Sequence, residues 1–111
     1  LNKSTLRKES RIELNLFVEY LKKNTEIKIE LGGHTDSRGN EESNLSLSKA
    51  RAGAVYEFLV AKGVTAQRMT FRGYGSSMPV VTDEQIEKIF DAESKEAAHQ
   101  QNRRTVWRET F

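Results

Sequence analysis

At 111 residues the chain has room for one domain with one core, read here as a single unit over 1–111. Its charge is nearly balanced, 18 basic residues against 16 acidic, and no dense Lys/Arg cluster appears, which argues against a nucleic-acid partner. It contains no cysteine, which excludes disulfides, thiolate metal sites and a cysteine nucleophile. No apolar run approaches the ~18 residues that would cross a bilayer. No signal peptide is visible, and a chain that opens on Leu1 is expected to be a fragment of a longer protein.

Asn2 or Ser4 can cap a helix that begins at once. Leu14, Phe17, Val18 and Leu21 carry its apolar stripe, with Lys8, Glu9, Arg11 and Glu13 upstream, and it should stop near Asn24. The run 27–31 alternates strictly and reads as a half-buried strand, ending in the turn-rich stretch 32–40. A second helix follows from about Glu42 to Lys62. Its expected inward positions are Leu47, Ala50, Arg51, Ala54, Val55, Phe58 and Leu59, with Gly63 at the stop position.

The run 69–72 is a second alternating strand, broken at Gly73. Thr82 with Gln85 resembles a helix start, and a further polar helix is expected over 91–101, giving a helical insertion at about 82–101. A last strand runs from Arg104 to Phe111, with Trp107 and Phe111 on one face. The expected fold is an α/β (α+β) two-layer sandwich, with a small mixed sheet of three strands and two main helices on one face.

Several site chemistries are poorly supported. His34 beside Asp36 lacks a nucleophile elbow, so no catalytic residues are assigned and the histidine is read as packed in its turn. His34 and Asp36 are too few for a metal site, and Arg38 would repel a cation. The glycines lack the Lys-Ser/Thr of a phosphate loop. Neither a metal nor a cofactor is expected.

Arg51 is the anomaly. At ~100° per residue it falls within about 40° of Leu47 on the helical wheel, inside the apolar stripe or at its edge. A guanidinium there needs a partner, and Asp36 stands in the turn that faces the start of the helix. Spacing alone favours an internal Asp36–Arg51 bridge. The other reading is a socket for a zwitterion, with Asp36 on the ammonium and Arg51 gripping the carboxylate through paired N–H bonds, and with Asn44 and the helix-start amides on remaining oxygens.

The strings Gly33-His34-Thr35-Asp36-Ser37-Arg38-Gly39 and Asn44-Leu45-Ser46-Leu47-Ser48-Lys49-Ala50-Arg51-Ala52 closely resemble the OmpA-like C-terminal peptidoglycan-binding domain. So do Gly63-Val64, Arg68-Met69, Gly73-Tyr74-Gly75, Pro79 and Asn102-Arg103-Arg104. The resemblance spans about 27–107 and implies a non-catalytic periplasmic module of an outer-membrane or lipid-anchored protein. It would hold peptidoglycan by the diaminopimelate of the stem peptide.

The family's ligand-gripping aspartate, arginine and asparagine fall on Asp36, Arg51 and Asn44. Thr35, Leu47, Ser48 and Arg103 match positions that line or support the pocket. The family's first strand is expected to be missing or truncated, Ser43 replaces a frequent tyrosine, and the long insertion resembles Bacteroidetes-type relatives. The domain itself is not expected to enter a membrane, and a homodimer is carried as a further partner expectation. Three other readings are a protein-interaction or oligomerisation module with Asp36–Arg51 as a structural bridge, a flagellar-stator-type wall anchor, and an enzyme acting on cell-wall peptide through His34.

Overall fold

A computed structural model describes the backbone of 3–6 and 11–110 and the side chains of 14–110. The cap at Asn2, the charges at Lys8 and Glu9, the side chains of Arg11 and Glu13, and the placing of Phe111 lie outside the described residues. The elements run β1 (Lys3–Leu6), α1 (Arg11–Lys23), β2 (Lys28–His34), α2 (Glu41–Ala61), a short 3-10 turn (Ala66–Arg68), β3 (Met69–Gly73), α3 (Asp83–Glu87), α4 (Ala92–Asn102) and β4 (Arg104–Thr110).

One four-stranded sheet has the order β1-β4-β2-β3. β2 is parallel to β3 and antiparallel to β4, and β1 closes the far edge antiparallel to β4. Two expectations are corrected by β1. The sheet has four strands rather than three, and Ser4 lies in a strand rather than capping a helix. The first strand is therefore present, four residues long. Four residues are too few for an alternation to register, and pairing with β4 supplies what the local pattern lacks.

Ile29 and Leu31 point to the helix side of β2 and are almost fully buried. They meet Leu14, Phe17, Val18 and Leu21 of α1 and Val55 and Leu59 of α2. Trp107, opposite Leu31 in the ladder, packs on Phe17 with ring centres 4.9 Å apart. Each such fully buried side chain contributes about 1.5–3 kcal/mol through removal from water.

Local signals set the element ends. Asn40 caps α2 by accepting from the Ser43 amide. Gly63, at φ +97°, turns the chain out of α2. The Val64 amide donates to the Leu59 carbonyl and the Gly63 amide to Val60, the paired bonds of a Schellman stop. Thr82 and Gln85 form a reciprocal capping box at α3, and Asp91 caps α4. The Arg68 guanidinium donates to the carbonyls of Leu21, Asn24 and Ile27, satisfying the open end of α1 and fastening the turn into β2.

Two boundaries differ from the sequence reading. Gly32 and Gly33 are strand residues, not loop, because β2 continues to His34. The inward face of α2 is also rotated. Its buried residues are Asn44, Ser48, Ala52, Val55 and Leu59, whereas Leu47, Ala50 and Ala54 are exposed. The cause is a close crossing. A Cβ on Gly33 would lie 1.8 Å from the Ser48 carbonyl oxygen, and one on Gly73 would lie 2.6 Å from the Ser48 hydroxyl. Only small residues fit where α2 passes over the ends of β2 and β3, so size fixes the helix phase there and hydrophobicity does not.

Candidate ligand-binding site

The site grows from the end of β2. The Thr35 amide donates to the Gly75 carbonyl, which extends the β2–β3 ladder into the loop and fixes where Asp36 begins. Ser48, fully buried in α2, accepts from the Gly75 amide at 2.9 Å and donates to the Leu45 carbonyl at 2.8 Å. It joins helix to loop rather than facing solvent. Asn44, also buried, donates its side-chain amide to the carbonyls of Asp36 and Arg38 and so holds the loop 35–40 against the start of α2.

Asp36 is 6% exposed, and its carboxylate is the focus of the loop. Oδ1 accepts the Arg38 amide at 3.0 Å and its Nε at 3.4 Å, Oδ2 accepts an Arg38 Nη at 3.0 Å, and Arg103 forms an ion pair with Oδ2 at 3.1 Å. Both guanidiniums also reach Glu96 on α4. Arg38 meets its two oxygens at 2.8 and 3.1 Å, and Arg103 meets Oε2 at 3.0 Å. Two carboxylates and two guanidiniums thus form a neutral four-membered network. Arg103 is steadied further by the Gln100 amide oxygen, and Ser37 ties the same loop to Asp83 of α3 at 2.5 Å.

Electrostatics follow the geometry. Burial acts to raise the Asp36 carboxyl, but the hydrogen bonds and charge of Arg38, with the charge of Arg103, outweigh it and leave the group lowered. Glu96 is held at about 2 by hydrogen bonds from Arg38 and then Arg103. Arg38 is raised by the same two carboxylates, Glu96 first.

The insertion is built around this network. Asn102, almost fully buried at the end of α4, accepts from the amides of Val80 and Val81 and donates to the Val81 carbonyl. Arg104 donates to the carbonyls of Asn102 and Met78. Burial lowers its guanidinium. Of three consecutive residues, two brace the segment and the middle one, Arg103, reaches the site.

Asp36, Thr35, Asn44, Ser48 and Arg103 are therefore drawn together around one loop. Arg51 is half-buried on α2, one turn beyond the exposed Leu47, and makes no ion pair among the described residues. The Asp36–Arg51 bridge that spacing favoured is not formed. Asp36 has taken Arg38 and Arg103 as partners instead. The Thr35 hydroxyl is buried and has no hydrogen-bond partner among the described residues. His34 lies on the face of β2 away from α2, its ring stacked on Tyr74 at 5.2 Å, so it is packed, but as the last strand residue and not in the turn where the sequence reading put it.

Arg38 and Glu96 were missed as site residues. Arg38 was visible only as a charge that opposes a cation, and Glu96 is 58 residues away in an insertion. An Asp-x-Arg spacing beside a glycine was the one available signal.

This loop, helix and sheet arrangement is shared with known proteins. The sequence matches the OmpA family over residues 1–93. The chain belongs to the OmpA family. It is 33% identical over 106 residues to the peptidoglycan-associated lipoprotein of Brucella melitensis, covering 96% of this chain and 57% of that protein. The OmpA-family fold here superposes on the peptidoglycan-associated lipoprotein from Burkholderia pseudomallei with a TM-score of 0.75 and 27% identity, over 99% of this chain and 91% of that one. The periplasmic domain of Helicobacter pylori MotB shares the fold, with a TM-score of 0.71 at 19% identity over 96% of this chain and 64% of that one.

The chain spans 47–57% of the length of the curated peptidoglycan-associated lipoproteins it matches. The relatives it matches include peptidoglycan-associated lipoproteins, and the chain is a non-catalytic module. No helix among the described residues is long and apolar enough to cross a membrane.

Proposed function

We propose that this OmpA-family chain binds peptidoglycan through the diaminopimelate of the stem peptide, and so anchors an outer-membrane or envelope protein to the cell wall from the periplasm. The carrying observation is the separation of the two charges. Asp36 is a buried carboxylate that already collects cations, while Arg51 is a half-buried guanidinium that no carboxylate among the described residues engages. A ligand bearing an ammonium and a carboxylate on one carbon complements both. The similarity to peptidoglycan-associated lipoproteins supports the same ligand.

In this reading Asp36 takes the ammonium and Arg51 the carboxylate. Leu47, exposed one turn before Arg51, offers apolar contact beside the carboxylate. Thr35, next to Asp36, carries a hydroxyl free to accept or donate if the loop adjusts. Asn44 and Ser48 hold the loop at its distance from α2, and Arg103 keeps the Asp36 carboxylate oriented.

Calorimetry with diaminopimelate-containing muropeptides tests the site. Asp36→Ala and Arg51→Ala should each weaken binding by about 2–5 kcal/mol, because each leaves a ligand charge facing no partner at a partly desolvated place. Unchanged affinity in both variants, with the fold intact by circular dichroism, would remove the assignment.

A further inference from the structure

The Asp36 carboxylate is already engaged by Arg38. We propose that Arg38 is an internal stand-in for the ligand's ammonium and that Glu96 is the resting place to which it withdraws, so that these two residues set the affinity for amine-bearing ligands. The proposal rests on the peptidoglycan reading above.

Four observations carry it. First, the Arg38 guanidinium is shared, with two nitrogens on Asp36 at 3.0 and 3.4 Å and two on Glu96 at the shorter pair of distances, 2.8 and 3.1 Å. The paired bond to Glu96 survives if the contact to Asp36 is given up. Second, the side chain is 46% exposed, whereas that of Arg103, the other cation on Asp36, is 28% exposed and bonded to Gln100 as well. Arg38 is the member free to move. Third, its backbone stays in place. The Arg38 amide is held by Asp36 Oδ1 and its carbonyl by Asn44, so only the side chain need swing. Fourth, the network is electrically neutral, two carboxylates against two guanidiniums. An ammonium arriving at Asp36 therefore competes with a cation rather than filling a vacant anion.

The physical consequence is competition within the protein. Apparent affinity equals intrinsic affinity scaled by the fraction of molecules in which Arg38 has left Asp36. Glu96 raises that fraction without touching the ligand, which makes it a positioning residue. Only ligands that place a cation on Asp36 feel the competition.

The experiment is calorimetric titration of the chain with a muropeptide carrying the free diaminopimelate amine, and with the same peptide N-acetylated at that amine. Arg38→Ala should tighten binding of the free-amine peptide by roughly two- to fivefold, the size expected for releasing one partly exposed ion pair. That gain should be absent with the acetylated peptide. Glu96→Gln should weaken free-amine binding by a similar factor, and the weakening should vanish when Glu96→Gln is made in the Arg38→Ala background. Weaker binding by Arg38→Ala, or an equal effect of Glu96→Gln with and without Arg38, overturns the latch while leaving the peptidoglycan reading in place. No binding of the free-amine peptide by the unmodified chain overturns both.

Discussion

Two regions of this protein meet at the end of β2 and are built on opposite principles. Where α2 crosses the sheet, contact is made by Gly33, Gly73 and Ser48, uncharged and so close that a single carbon added to either glycine would collide with backbone. One residue further on, the loop 35–40 carries Asp36 and Arg38, whose partners come from α4 and from Arg103 and whose contacts are charged and partly exposed. The close crossing fixes where the loop starts, and the charged network decides what the loop can hold. A site of this kind needs both, because a ligand can exchange with a salt bridge but not with a packed backbone.

The difference can be broken from either side. Gly33→Ala should have the largest effect. The new Cβ would sit 1.8 Å from the Ser48 carbonyl oxygen, so helix and strand must separate, at about 3 kcal/mol or more. Urea denaturation measures this, and a loss below that of an ordinary surface substitution would show that the crossing has slack.

Asn102→Ala should rank next. It strands the partly buried amides of Val80 and Val81 and the Val81 carbonyl, at about 1–3 kcal/mol. Because Arg103 follows directly, ligand affinity should fall together with stability. A melting-temperature loss without any change in affinity would show that α3 and α4 brace the sheet independently of the network.

The smallest effect is on the charged network itself. Glu96 titrates at about 2 in the folded chain against an ordinary value of 4.5, and Asp36 is lowered as well. Groups lowered by folding stabilise fully above their unfolded values and lose that contribution as pH falls through the folded ones. The unmodified chain should therefore lose slightly more stability than Glu96→Gln between pH 4.5 and about 2. Equal acid sensitivity of the two would mean that the Arg38–Glu96 pair is screened to nothing.

Much of the scaffold was legible because its causes are local. The alternation of Ile29 and Leu31, the stripe of α1, the Gly63 stop, the Thr82–Gln85 capping box and the Asp91 cap each depend on residues within a few positions of one another. Of the candidate site, Asp36 and Asn44 were picked out by charge and spacing and Thr35, Ser48 and Arg103 through a family resemblance, and these five come together around one loop. The phase of α2 was misread because Asn44 and Ser48 are polar and yet buried. They are buried because backbone groups of Asp36, Arg38 and Gly75 need their hydrogen bonds, a demand that no hydropathy pattern records.

The sequence by itself determined the element order after β1, the helix stops and caps, and the presence of an unusual arginine on α2. These are short-range consequences of side-chain shape and capping chemistry. Only the tertiary structure decided that the first strand joins the sheet, that α2 turns small and polar residues inward, and which charges pair. Asp36 meets Arg38 and Arg103 rather than Arg51 because the β2–β3 ladder, Asn44 and α4 bring those groups within about 3 Å of its carboxylate. An ion pair forms with the charge that the backbone delivers, and separation along the chain does not specify which charge that is.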